Sequence, residues 1–316
     1  MPPSFSHLYK TQTVHGFYTD NAASYKNPHE PGIRKCLHSI LEAAFDTIKP
    51  ADEDDKEPLG VLDVAAGGGE ATMAVGQWVA EHKKGIRIRP LGMDPYTYEL
   101  FQQKTRARAL PWGFREILEG KLLEPIPSPA AVMAAMELAR EEARQAAIRA
   151  AKQAEKEARR AARQAAIDAA IERGEAIDEE AELSEDSDDE ELEKPQQEKT
   201  QENTNAISQP QVDDEPPKPA PIFHVAIISF ALHLVAQEEL YQTLNMLSQS
   251  CRYMIILAPN RGHLERVEER TGWNLVPDYE MNVAKGSKTF DGKWFWSRDS
   301  RGERVGGGLW KSWNLE

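Results

Sequence analysis

Apolar residues recur at helical spacing in "GIRKCLHSILEAAFDTI", Gly32 to Ile48, and Pro28 and Pro31 mark the entry of the helix they predict. The pattern then changes to short buried runs alternating with amphipathic stretches. "GVLDV" reads as a first strand and "EATMAVGQWVAEH" as the helix behind it. "IRIRPLGMD" is a second strand, "PYTYELFQQKTRARA" its helix, and "FREIL" a short third strand. Further on, "FHVAIISF" is a buried fourth strand, "QEELYQTLNMLSQS" a helix, "RYMIILAP" a fifth strand and "GHLERVEERTGW" another helix. In "KTFDGKWFW", Asp291-Gly292 between β-prone runs predicts an antiparallel hairpin. Strands alternating with helices predict an α/β fold, a mostly parallel sheet with helices on both faces.

Residues 129–221 break this rhythm. From Pro129 to about Arg173 the chain is Ala-rich with interspersed charge, almost wholly strong helix formers, and predicts an exposed helix over about 130–173. Its apolar stripe is mostly alanine, so local propensity and i, i+4 pairs such as Glu155 with Arg159 must hold it. Residues 174–221 carry 17 acids against three bases and few apolar residues, a composition that predicts disorder. Residues 129–221 are therefore expected to be an insertion in a single domain formed by 1–128 and 222–316.

The net charge of -14 hides where the acidity lies: 129–221 has 24 acids and 12 bases, whereas 222–316 has 11 of each. The core is near neutral and gives no steer towards nucleic acid. Between Arg140 and Arg163 the helix has eight bases and four acids, a candidate surface for a protein partner or for phosphate, although the acidic segment beyond it competes for the same charge. Two distant cysteines, Cys36 and Cys251, argue against a disulfide scaffold or zinc site. Neither a signal peptide nor a membrane span is expected, which points to an intracellular protein, cytoplasmic or nuclear, with no membrane partner.

The chemistry concentrates in "VLDVAAGGGEAT", Val61 to Thr72. A strand that runs through a Gly-rich turn into a helix brings backbone N–H groups close to a ligand. Gly67 and Gly69 supply the first two glycines of a dinucleotide fingerprint, but Thr72 fills the third place. Asp63, inside the strand, suits a cationic ligand better than a pyrophosphate, which it would repel. Asp94 ends the second strand, where a carboxylate can accept ribose hydroxyls.

"LDVAAGGGEA" resembles the first motif of class I S-adenosylmethionine-dependent methyltransferases, with Asp63, Ala65, Gly67 and Gly69 at the matching positions. Ala65 stands where that family usually has glycine; alanine is tolerated there at negative φ, whereas a positive φ would strain the loop. "HVAIISFALHLV" resembles the fourth motif, which places Ser229, Phe230 and His233 at the carboxyl end of the fourth strand, under the methyl donor. "HGFYTDNAASYKNPHEP" resembles the aromatic segment that many of these enzymes fold over the donor, with Tyr18, Tyr25, Asn27 and His29 as candidate contacts. At the adenine end the family's usual acid is replaced by Lys121, leaving Glu119 as the substitute.

The resemblance implies a Rossmann-like, seven-stranded, mostly parallel sheet with a C-terminal antiparallel hairpin, interrupted by the helical and disordered insertion. It also implies S-adenosyl-L-methionine as cofactor and methyl transfer to oxygen or nitrogen of an unknown acceptor: small molecule, protein or RNA. His233 is either a general base or a strand cap lining the pocket, and His29 is open to the same two readings. The alternative is a catalytically silent, methyltransferase-like scaffold acting through its charged insertion, which Ala65 and Lys121 favour. An NAD-dependent oxidoreductase is disfavoured by Thr72 and the terminal hairpin.

Overall fold

The computed structural model describes residues 27–49, 57–83, 85–173, 222–259, 267, 271–277, 289–290, 294–299 and 301–315. The chain divides into two compact units, Met1–Ile126 with Pro217–Glu316, and Pro127–Pro216.

In the first unit, helix α1 (Glu30–Ile48) leads to strand β1 (Leu59–Val64), helix α2 (Glu70–His82), strand β2 (Ile88–Met93), helix α3 (Tyr98–Thr105), strand β3 (Arg108–Leu110) and the short helix α4 (Phe114–Leu118). The sheet lies in the order β3-β2-β1-β4-β5, all parallel, where β4 is Phe223–Ser229 and β5 is Cys251–Ala258. Every residue of β1 is buried, as a strand covered on both faces must be. Alternate residues therefore serve opposite faces. Leu59 and Val61 of β1, Val225 and Ile227 of β4, and Ile255 and Leu257 of β5 share one core with α1 and α2. Helix α1 enters that core with Ile33, Cys36, Leu37, Ile40, Leu41, Ala44, Phe45 and Ile48, the i, i+3, i+4 spacing of one helical face. Helix α6 (Gln237–Ser250), after β4, packs against β5 and α4.

Beyond β5 the sheet turns antiparallel. Strand β9 (Arg304–Ser312) pairs with β5 along one edge and, along the other, with β8 (Trp294–Arg298) and β6 (Trp273–Leu275). Strand β7 (Thr289–Phe290) pairs antiparallel with β8, Phe290 opposite Trp294, so the hairpin expected around Asp291-Gly292 forms, with its turn at 291–293 outside the described residues. The described residues thus make nine strands; the expected parallel half and antiparallel end are both present. Gly308 in β9 lets the tryptophans close over the sheet, because a Cβ there would lie 2.8 Å from the Trp294 ring and 2.9 Å from that of Trp310.

The third strand differs from expectation. It is Arg108–Leu110, paired with β2 from Leu91 opposite Arg108 to Met93 opposite Leu110, and "FREIL" is helix α4. Pro111 lacks the N–H needed to extend the ladder, and the Gly113 N–H donates to Glu116 Oε2 at 2.7 Å, half of a capping box that starts a helix. Phe114, Ile117 and Leu118 have helical spacing, but five residues are too few for periodicity to separate helix from strand. The helix expected over "GHLERVEERTGW" lies largely outside the described residues, and its last residue, Trp273, opens β6.

In the second unit, helix α5 spans Pro129–Glu172, and nearly all its described side chains are exposed. Pairs at i, i+4 run along it: Gln145 with Glu141 at 2.7 Å, Gln153 with Glu157 at 2.9 Å, Arg159 with Glu155 at 3.0 Å and Gln164 with Asp168 at 2.9 Å. Each contributes only about 0.2–0.5 kcal/mol, so the helix depends on alanine propensity along its length. The segment expected to be disordered, 174–221, lies outside the described residues.

Two outcomes follow. Gly308→Ala is expected to lower the unfolding free energy by about 1–3 kcal/mol in urea titration, because neither tryptophan ring can withdraw from a close-packed interior. Deleting residues 130–220 is expected to change the stability of the remaining domain by no more than about 1 kcal/mol, since α5 contributes exposed surface; loss of cooperative unfolding would refute the single-domain reading.

Candidate functional site

Strand β1 lies between β2 and β4, and successive connections run outward to opposite sides of it. Open α/β sheets leave a crevice at the carboxyl edge of such a switch point. Here Ala65 follows β1, Asp94 follows β2 and Phe230 follows β4, and the backbone ladder continues past the strand ends through the Ala66 N–H to Met93 O at 3.0 Å and the Phe230 N–H to Leu257 O at 2.9 Å. A cavity of about 400 Å³ lies at this edge, floored by Ala65–Gly67 and Ser229–Ala231 and bordered by Asp94–Tyr96 and Asn27–His29. That is within the usual range for a small-molecule or cofactor site.

Asp63 is 1% exposed. Its Oδ2 accepts both the Thr72 N–H at 3.1 Å and the Thr72 hydroxyl at 2.7 Å, tying the strand to the first turn of α2. Its Oδ1 is buried with no hydrogen-bond partner among the described residues, as is Ser229 Oγ on the neighbouring strand β4. Burial pushes the Asp63 carboxyl up to about 7, against the two Thr72 hydrogen bonds, and the Glu70 and Asp94 charges add to the rise. Glu70, at the start of α2, is also raised by burial; its Oε2 accepts the Gly68 N–H at 3.1 Å, and Lys104 Nζ lies 3.8 Å from its Oε1.

Asp94 organises the opposite wall. Its Oδ1 accepts the Tyr96 and Thr97 N–H groups at 2.9 and 2.8 Å, and its Oδ2 accepts the Gly67 N–H at 3.1 Å. Oδ2 therefore carries one donor and retains lone-pair capacity for a ligand hydroxyl. Thr97 completes the brace by donating its hydroxyl to Gly67 O at 2.8 Å.

The floor is strained. Ala65 has φ 54° and Phe230 φ 57°, both left-handed, and they are two of the three non-glycine residues with positive φ among the described residues. An L side chain in that region costs about 1–2 kcal/mol. Gly67 and Gly69 also have positive φ, at 54° and 82°; at Gly69 a Cβ would also collide with Thr105 and crowd Phe101, so glycine there is a packing requirement. Alanine at 65 is thus in the conformation that the sequence reading identified as straining the loop.

Of the expected site residues, Asp63, Ala65, Gly67, Gly69, Asp94, Ser229 and Phe230 gather at this edge, and Ala65, Gly67, Asp94, Ser229 and Phe230 line the cavity itself. His233 also lines it, exposed on a single 3-10 turn, Leu232–Leu234. Glu119 is placed elsewhere: it follows α4 with its carboxylate 2.9 Å from Arg115 Nε and 3.1 Å from Lys121 Nζ, which hold it below its ordinary value, and Gly113 and Phe114 border the cavity instead. Tyr18 and Tyr25 lie outside the described residues. Sequence reasoning named Thr72 only as a missing glycine and passed over Thr97, although Asp94-Pro95 with a hydroxyl two residues on is a turn-initiating signal.

No known family's sequence model matches the chain, and no curated protein matches it in sequence. Among solved structures it is similar to magnesium protoporphyrin IX methyltransferase (ChlM) from Synechocystis PCC 6803 with bound SAM, at 7% identity and a TM-score of 0.42, covering 97% of this chain and 96% of that one. The same enzyme with bound SAH is similar at 8% identity and a TM-score of 0.42, covering 97% and 98%.

The Asp63 carboxyl makes stability depend on pH. The folded protein keeps this proton up to about pH 7, while the unfolded chain releases it near 3.8, so the native state holds more protons in between. Stability contributed at low pH is therefore lost as pH rises from about 4 to about 7. Asp63→Asn is expected to remove that slope, at most about 1.4 kcal/mol per pH unit, in urea titrations compared across this range; equal slopes in both proteins would refute the buried, protonated acid.

Proposed function

We propose that this chain is an S-adenosyl-L-methionine-dependent methyltransferase that transfers a methyl group to an oxygen or nitrogen acceptor. The observation that carries this reading is the buried Asp63, with one oxygen that has no partner among the described residues and with Glu70 and Asp94 close enough to raise its proton affinity. Three carboxyl groups around one glycine loop favour a cationic ligand and repel a pyrophosphate. Adenosylmethionine carries a sulfonium and an ammonium. The glycine loop and Asp63 would serve the methionine end, and Asp94 Oδ2 the ribose hydroxyls. Transfer is in-line displacement at the methyl carbon, and holding the acceptor in line with the departing sulfur supplies most of the acceleration.

A second reading rests on Ala65. At φ 54° its side chain is strained where a glycine would not be, as in a loop released from cofactor binding in a catalytically silent scaffold. Against this, Phe230 shares the strain at the same cavity, and backbone strain kept at two adjoining strand ends is characteristic of a working site.

Calorimetry with adenosylmethionine, adenosylhomocysteine and NAD separates these readings. Adenosylmethionine and adenosylhomocysteine are expected to bind and NAD is not, and Asp94→Ala is expected to weaken binding at least about 100-fold, about 2.7 kcal/mol. Adenosylmethionine should bind more tightly at about pH 8 than at about pH 6, as Asp63 ionises, with Asp63→Asn flattening the difference. Failure to bind either adenosyl compound sinks the enzyme reading. Donor turnover assayed against protein, RNA and metabolite fractions then identifies the acceptor.

A further inference from the structure

We propose that His29, oriented by Asp299, is the base that takes the proton from the methyl acceptor. This rests on the methyl-transfer reading. His29 borders the cavity immediately before α1, its backbone N–H donating to Asn27 Oδ1 at 2.9 Å. Its ring stacks on Phe230, centroids 4.5 Å apart and planes 17° from parallel, so one of the two strained floor residues is also the platform for this imidazole.

The ring is held from one side. Nδ1 lies 3.1 Å from Asp299 Oδ2 and 3.3 Å from Glu303 Oε2. The Asp299 side chain is fully buried, and its Oδ1 accepts the Arg301 N–H at 2.8 Å and the Glu303 N–H at 2.9 Å, so this carboxylate cannot swing away. Burial alone would raise its proton affinity; the hydrogen bonds from Glu303, Arg301 and His29 outweigh that and keep it ionised. With two carboxylates facing Nδ1, that nitrogen carries the hydrogen and Nε2 the lone pair, on a ring that borders the cavity. His233 shares the cavity but is exposed.

The same three side chains bring their ligand atoms within 4.8 Å of one another, a spacing a metal ion could use. Arg301 occupies the cationic place: its Nη2 is 3.0 Å from Glu303 Oε2 and 3.6 Å from Asp299 Oδ2. A divalent ion would have to displace it, whereas an imidazolium formed at His29 joins both carboxylates without rearrangement.

Chain folding makes the pair. His29 and Asp299 lie 270 residues apart and meet because the first turn of α1 packs on the end of β8, where the Ser297 hydroxyl donates to Gly32 O at 2.7 Å. Gly32 permits that approach, since a Cβ there would lie 2.5 Å from Val305 Cγ2. In the reaction, a lone pair on the acceptor O–H or N–H attacks the methyl carbon, and the carbon–sulfur bond breaks with its electron pair going to sulfur, which becomes a neutral thioether. The acceptor proton passes to His29 Nε2 and from there to solvent. Asp299 is a positioning residue.

The full-length chain labelled at histidine, with His29 assigned by its loss in His29→Gln, tests this by NMR. The neutral ring is expected to be the Nδ1–H tautomer, and Asp299→Asn to weaken that preference, with Glu303 still facing Nδ1. The wild-type tautomer decides the orientation even if Asp299→Asn folds poorly. In turnover with the acceptor found by fractionation, His29→Gln is expected to lower kcat about 100-fold or more and to abolish the rise of rate with pH, with adenosylhomocysteine affinity unchanged. An Nε2–H tautomer would overturn the proposal. So would stoichiometric Mn²⁺ that broadens the His29 signals in the wild type but not in Asp299→Asn, or loss of adenosylhomocysteine affinity in His29→Gln. If the wild-type chain binds neither adenosyl compound, the methyltransferase reading fails instead, and the tautomer still reports whether Asp299 orients His29.

Discussion

The double hydrogen bond from Thr72 to Asp63 Oδ2 is the contact on which the cavity edge depends. It joins the end of β1 to the start of α2 across the glycine loop and leaves one carboxyl oxygen buried with no partner among the described residues. A buried acid with half its hydrogen-bonding capacity unmet carries a desolvation cost that is tolerable only while the group stays protonated or meets a cation. Both conditions follow from the surroundings: the fully buried strand that carries it and the Glu70 and Asp94 carboxyls beside it. A threonine in place of the third glycine of a dinucleotide loop is therefore a constructive substitution, because it supplies the donors that hold this acid in place.

The strain at Ala65 and Phe230 belongs to the same arrangement. Parallel strands that end at one edge must turn sharply into their helices or loops, and a left-handed residue is the shortest way to do so. At Ala65 the turn aims successive backbone N–H groups towards Asp94 and Glu70: Gly67 donates to the first and Gly68 to the second. At Phe230 it presents an aromatic face on which His29 stacks. Strain of a few kcal/mol at two points is small beside the apolar area that β1, β4 and β5 bury, so the fold can carry it.

Asn27–His29, at the entry of α1, add a third wall that the parallel strands cannot provide, and the β8–β9 turn holds it from behind through Asp299. The antiparallel end of the sheet is needed for this, since β8 reaches α1 only by pairing outside β9. The tryptophan-over-glycine packing that lets β8 lie flat on β9 thus also places Asp299 beside His29.

The parallel half of the fold was legible because its signals are local. The apolar run of β1, the Ile33-to-Ile48 face of α1 and the alanine-rich α5 each state their structure within one window of sequence, and the acid, glycine and acid of Asp63, Gly67 and Asp94 sit at strand ends that such windows locate. "FREIL" misled because five residues satisfy either period, and the deciding contact, Glu116 on the Gly113 N–H, belongs to the turn before it. Glu119 was plausible by spacing alone, but its side chain joins Arg115 and Lys121 instead. The sequence by itself determined the alternation of strands and helices apart from "FREIL", the cavity edge and the acids along it, because backbone period and residue type are properties of short segments. Only the tertiary structure decided that Asp63 is buried with its proton held, that Ala65 takes a positive φ and that His29 meets Asp299, because each depends on burial or on contacts between elements distant in the chain.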